Sequence, residues 1–116
     1  MDERIEKAFA VANYMATLSN QRRIILEEYT QKLSYYTNGA TFKINPELIN
    51  FTKTLIDLGH TNDIPFLDSN NLPVVISDVQ DFFDNIVSVY FEALNTYTSK
   101  YNEIKSKRKI GDIVEL

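Results

Sequence analysis

The sequence predicts a mainly α-helical fold, an antiparallel hairpin of two long helices with a small α/β insert between them. Long segments near both ends carry apolar residues at intervals of three and four, which is the period of a helix. Neither segment contains glycine or proline. A chain of 116 residues has room for one domain. We therefore predict a single domain with a helix over 1–37, an insert over 38–76, a helix over 77–108 and a tail over 109–116.

The first helix is predicted to begin at Asp2, a favourable N-cap residue. Its apolar stripe is interrupted at Arg22, where the period requires an apolar residue, but the polar run around Arg22 contains no helix breaker, so we expect one continuous helix. Asn38-Gly39 is predicted to end it, because both residues tolerate the left-handed conformation. The stripe comprises Ile5, Phe9, Ala12, Met15, Leu18, Ile25, Tyr29, Leu33 and Tyr36.

The insert is predicted to contain a short helix. Ala40–Ile44 alternates in the manner of a strand. Asn45 and Pro46 then supply an N-cap and a first-turn proline, and apolar residues follow at helical spacing as far as Gly59. These features favour a strand followed by a helix.

A β-hairpin is predicted to complete the insert. The apolar runs Ile64–Leu67 and Leu72–Ile76 flank Asp68–Asn71, a turn built from Asx and Ser residues. One proline lies in each run, which restricts the prolines to edge strands or to strand ends.

The last helix is predicted to begin at Ser77, which forms a capping box with Gln80. A continuous apolar stripe then runs towards the C-terminus, so this helix is expected to be long and amphipathic. The stripe comprises Val79, Phe83, Ile86, Tyr90, Leu94, Tyr97, Tyr101 and Ile104.

Composition excludes several kinds of chemistry. The chain has no cysteine and a single histidine, His60, so thiol chemistry and sites with two imidazoles are excluded. Its three glycines are isolated, which gives no phosphate-binding loop. We predict no enzyme activity, no cofactor and no small-molecule substrate. We also expect no membrane contact and a cytoplasmic location, because no apolar run is long enough to span a bilayer and the N-terminus does not resemble a signal peptide.

Three aspartates and the histidine could each have a chemical role or a purely structural one. Asp78, Asp81 and Asp84 lie three apart and could bind a hard cation, but acids in the first turns of a helix more commonly complement its dipole. His60 follows the glycine that ends the second helix, where an exposed histidine interacts with the last carbonyl groups. We favour the structural interpretation of both, and predict no metal site and no catalytic residue.

The residues that remain favour protein binding. Arg22 interrupts the stripe of the first helix, and polar residues in helical seams commonly determine register and partner. Tyr97 and Tyr101 are suited to a hydrated subunit boundary, although aromatic residues on such a stripe more commonly pack in a core. Alternating apolar and acidic residues in the tail are suited to a groove or a sheet edge, although a frayed terminus is the commoner outcome. The apolar residues of the tail are Ile113, Val114 and Leu116.

Nucleic-acid binding is the alternative. Basic residues at the end of the last helix alternate with tyrosines, an arrangement that can bind phosphates and stack on bases. A net charge of −4 argues against it, as does the commoner role of cations at a helix C-terminus. The residues concerned are Lys100, Lys105, Lys107 and Arg108.

Three stretches of the chain carry a resemblance to other sequences. They read YYTNGATFKINPELINF (Tyr35–Phe51), FLDSNNLPV (Phe66–Val74) and YFEA (Tyr90–Ala93). In these stretches the chain resembles small uncharacterised proteins of contractile-tailed marine bacteriophages. The resemblance implies a viral protein that acts in a bacterial cytoplasm, and it implies no particular activity.

These inferences together predict a non-enzymatic interaction module. Long apolar stripes without accompanying chemistry favour a homo-oligomer that also binds an unidentified protein, as an assembly factor, chaperone-like adaptor or regulator.

Overall fold

The protein is mainly helical, with three helices and two small antiparallel sheets, each of two strands, in the part of the chain that the structure describes. The structure, a computed structural model, describes the backbone of residues 2–110 and the side chains of residues 2–106. The elements are α1 (Glu3–Lys32), β1 (Ser34–Thr37), β2 (Ala40–Lys43), α2 (Pro46–Asp57), β3 (Asn62–Leu67), β4 (Pro73–Asp78) and α3 (Val79–Ile110). The predicted order, with an insert between two long helices, is confirmed.

The chain divides into two compact units. One is formed by the first 29 residues and the chain from Asn95 onward, and the other by Thr30–Leu94. Both long helices therefore contribute a segment to each unit.

Helix α1 begins as predicted and ends earlier than predicted. The Asp2 carboxylate accepts a hydrogen bond of 3.0 Å from the backbone N–H of Arg4, which caps the first turn. The helix is continuous through Arg22. It ends at Lys32, and the prediction that it continues to residue 37 is wrong.

Ser34–Thr37 forms the first strand of a hairpin that was not predicted. This strand, β1, pairs antiparallel with β2, with Tyr35 opposite Phe42. Asn38 and Gly39 have φ values of 52° and 74°, so they are the two central residues of a tight hairpin turn and not a helix end. The strand is favoured over the helix because it brings Tyr35 against the core, where its ring lies 6.0 Å from that of Phe82.

Helix α2 and the second hairpin agree closely with prediction. The Asn45 side chain caps α2 by accepting a hydrogen bond of 2.8 Å from the N–H of Leu48. Strands β3 and β4 pair antiparallel around the predicted turn. The Asp68 carboxylate holds that turn by accepting hydrogen bonds of 2.8 and 2.9 Å from the N–H groups of Asn70 and Leu72.

The bounds of α3 differ from the predicted 77–108. Asp78 caps the helix in place of Ser77, because its carboxylate accepts a 3.0 Å hydrogen bond from the N–H of Asp81. The predicted capping box of Ser77 and Gln80 does not form, because Asp78 occupies the N-cap position. At the other end α3 continues to Ile110 and includes the first residues of the predicted tail.

The core of the Thr30–Leu94 unit is built around Phe82. Its ring centroid lies 5.1 Å from that of Phe42 in the first hairpin and 5.1 Å from that of Phe66 in the second. Val79 and Ile86, one turn away on either side, are fully buried. The predicted stripe named Phe83 in place of Phe82, but Phe83 is only half-buried.

The other unit has a much smaller core. Leu18 and Ile25 of α1 and Ile104 of α3 are buried together, with Tyr14 and Tyr97 packed against them. Tyr29 adds an aromatic contact to Tyr97, with ring centroids 5.0 Å apart.

We expect Phe82→Ala to lower the free energy of unfolding by about 3–5 kcal/mol, because it removes a buried ring that both hairpins contact. Phe91→Ala is the matched control in the same helix, since Phe91 is 52% exposed, and it should cost below about 1 kcal/mol. Urea denaturation followed by circular dichroism measures both values. Equal losses for the two variants would contradict the central place of Phe82.

Candidate interaction surface

The first turns of α1 expose an apolar face. Every described side chain from Asp2 to Asn13 is exposed. Among them Ile5 is 47% exposed and Phe9 60%, and Met15 further along the helix is 50% exposed. We call this surface the α1 apolar face; it comprises Ile5, Ala8, Phe9, Ala12, Met15 and Ala16.

This face is not the one that packs inside the protein. Phe9 and Leu18 are separated by about two and a half helical turns, so they lie on opposite sides of α1. Leu18 is 3% exposed, whereas Phe9 is mostly in solvent. The prediction of a single stripe along the whole of α1 is therefore wrong.

The α1 apolar face also lies in a segment with little charge. From Ala8 to Gln21 the sequence contains no acidic and no basic residue. Charged residues resume at Arg22 and Arg23, and Arg23 forms an exposed ion pair of 3.0 Å with Glu27. A helix face that only contacts water is normally rich in charged side chains, so this segment has the composition of a contact surface.

Arg22, the residue that interrupts the predicted stripe, is half-buried. Its Nε atom is buried and has no hydrogen-bond partner among the described residues, and the same holds for Oε1 of the neighbouring Gln21. A buried polar atom without a partner is unfavourable. The polar side chain of Arg22 therefore lowers the stability of the fold at this position.

The tyrosines of α3 lie within the small core and at its edge. Tyr97 is half-buried between Tyr29 and Tyr101, and its ring is stacked on that of Tyr101 with centroids 6.4 Å apart. Tyr101 is 41% exposed. Of the two tyrosines predicted for an interface, Tyr101 presents more of its ring to solvent.

Of the four residues considered for nucleic-acid binding, the structure describes the side chains of two, Lys100 and Lys105. The ammonium group of Lys100 is ion-paired with Glu28 of α1. Lys105 is exposed. The side chains of Lys107 and Arg108 lie outside the described part of the chain, as do the tail residues Ile113, Val114 and Leu116 in their entirety.

The acidic residues around the start of α3 have structural partners. Asp78 caps the helix, while Asp81 and Asp84 accept hydrogen bonds from Asn85 and Gln80 at 3.3 and 3.0 Å. Within the described residues no group of three or more acidic, histidine or cysteine side chains could hold a metal ion.

His60 is exposed after the end of α2, and its backbone N–H donates to the carbonyl of Leu55 at 2.8 Å. This hydrogen bond belongs to the closing turn of the helix.

A cleft in the Thr30–Leu94 unit is open and shallow. It has a volume of about 430 Å³ and lies between Lys43, Glu47 and Ser69. Two polar groups on its wall already have structural roles, because Asn45 caps α2 and Asp68 holds the turn of the second hairpin. The other polar residues of its lining, Lys43, Glu47, Ser69 and Asn71, are exposed, so the cleft lacks the burial that a small-molecule site provides.

Comparison with known proteins gives no match among family models, curated proteins or solved structures. Over the residues that the structure describes, no helix has both the length and the apolarity needed to cross a bilayer.

The α1 apolar face was not predicted as a surface, although two features in the sequence indicate it. The first is the lack of charge between Ala8 and Gln21. The second is the angle between Phe9 and Leu18, which a stripe traced in steps of three and four does not reveal.

We expect Arg22→Leu to fold and to raise the free energy of unfolding by up to about 1–3 kcal/mol, because it removes a buried nitrogen that lacks a partner. The matched control is Arg23→Leu, which breaks an exposed ion pair and should lower stability by about 0.5 kcal/mol or less. Urea denaturation at one fixed protein concentration measures both. Unfolding of Arg22→Leu would show instead that the guanidinium group is required.

Proposed function

We propose that this chain is a non-enzymatic protein-interaction module that binds through the α1 apolar face. The observation that supports this proposal is the exposure of Ile5, Phe9 and Met15 on a helical segment with little charge. Their contiguity distinguishes this surface from the single exposed apolar residues that every protein carries.

Binding of another protein to this face is favoured by the hydrophobic effect. A large apolar side chain that stays in water forgoes about 1.5–3 kcal/mol relative to full burial. Three such side chains on one face therefore provide free energy that can drive association and offset part of the entropic cost of binding.

A helical hairpin is the scaffold that we propose for this surface. Glu28 is paired with Lys100 and Tyr29 lies against Tyr97. Glu28 precedes Tyr29 in α1, whereas its partner Lys100 follows Tyr97 in α3. This reversed order is that of an antiparallel helix pair. In this arrangement Leu18 and Ile25 face α3, and the opposite side of α1 remains for another protein.

The roles that fit such a module are those of an assembly factor, chaperone-like adaptor or regulator. The resemblance to proteins of contractile-tailed marine bacteriophages favours a role in a bacterial cytoplasm. Nucleic-acid binding is less favoured because Lys100 is held by Glu28.

Photo-crosslinking in bacterial cells tests the proposal. A benzoylphenylalanine at position 9 should form discrete adducts with protein, because Phe9 is 60% exposed on the face. The matched control carries the same group at Ala10, which is exposed about 100° further around the helix. The control should give at least about tenfold less adduct, because position 10 points away from the centre of the face.

Mass spectrometry of the adducts identifies what lies on the face. Equal yields from positions 9 and 10, or no adduct from either, would contradict the proposed function.

A further inference from the structure

We infer that the α1 apolar face binds a second copy of this chain, with the two α1 helices antiparallel and Ile5 of each copy against Ala16 of the other. This inference rests on the proposed function and names the occupant of the proposed surface. It follows from the order of large and small residues along the face.

The order of large and small side chains makes this face complementary to the same face of a second copy. In an antiparallel pair centred between Ala10 and Val11, Ile5 meets Ala16 and Phe9 meets Ala12. Both contacts occur twice, as a two-fold axis requires. Ile5 and Phe9 then each project onto an alanine, which allows the two helices to approach closely along this part of the face.

A parallel pair does not have this complementarity. It would place Phe9 on Phe9 and Ile5 on Ile5, with alanine layers between them that leave gaps. It would also align the two helix dipoles, and bring Glu3 and Glu6 of one copy to the same residues of the other. The antiparallel pair opposes the dipoles and separates the acidic first turns.

The segment that would be covered contains little charge to desolvate. Ile5–Ala16 extends over about 18 Å of helix, and Glu6 and Lys7 are its only charged residues. Both lie more than about 100° around the helix from the centre of the face. One helix face of this length buries less than the roughly 800 Å² per partner of a standard interface. The dimer should therefore dissociate at micromolar concentrations.

Disulfide trapping in the full-length chain tests the orientation, since the sequence has no cysteine. The variants Ile5→Cys and Ala16→Cys are purified separately, mixed in equal amounts and oxidised mildly. The antiparallel pair predicts the mixed dimer, linked from position 5 to position 16, in at least about tenfold excess over either homodimer, because only that pairing brings the Cβ atoms within disulfide reach. The control Ala10→Cys, on another side of α1, should form no disulfide-linked dimer.

Sedimentation equilibrium tests, without a crosslink, whether a second copy of the chain binds to the α1 apolar face. The unmodified chain should show a monomer–dimer equilibrium in the micromolar range. Phe9→Glu should raise the dissociation constant at least about tenfold, because it places a charge in the contact. Phe91→Glu makes the same change at an exposed site on α3 and should leave the equilibrium unchanged, and circular dichroism checks that both variants fold.

The outcomes separate this inference from the proposed function. A monomer at every concentration overturns the second copy as occupant, while discrete adducts with another protein at position 9 would still support the interaction module. Homodimers linked from position 5 to position 5 and from position 16 to position 16 overturn the antiparallel orientation. If Phe91→Glu weakens the dimer as much as Phe9→Glu does, the contact is not on the α1 apolar face.

Discussion

The packing of both hairpins onto Phe82 is the constraint on which the Thr30–Leu94 unit depends. A two-stranded hairpin is marginally stable in water by itself, and this unit contains two of them in separate sheets. Phe82 contacts Tyr35 and Phe42 of the first hairpin and Phe66 of the second. The unit therefore acquires its core from the first turns of α3, and the strands are stable because the helix supplies a common apolar surface.

The two units use apolar residues in different ways. The Thr30–Leu94 unit buries a connected set of aromatic and aliphatic side chains. In the unit formed with most of α1, Leu18, Ile25 and Ile104 make a small buried cluster, while Ile5, Phe9 and Met15 stay about half exposed. Helix α1 thus has an inner face in its second half and an outer apolar face in its first half, and this division is the physical basis of the proposed function.

Local chemistry determined which parts of the fold were predictable. The cap of α2 by Asn45 and the turn held by Asp68 involve hydrogen bonds between residues two to four apart, so the sequence pattern was sufficient. Asn38-Gly39 fits both a helix end and a hairpin turn, and the contact of Tyr35 with Phe82, distant in sequence, selects the turn. Spacing places Phe9 and Leu18 on opposite sides of α1, and the packing of Leu18 with Ile104 determines that Phe9 is the exposed one.

Hydrogen exchange as a function of protein concentration tests most directly whether another chain covers the first half of α1. The backbone amides of Ile5–Ala16 should exchange more slowly as concentration rises through the micromolar range, because association protects a helical segment that is otherwise free to fray. The amides of α2 should exchange at a constant rate over the same range. Protection of Ile5–Ala16 that does not change with concentration would contradict the account.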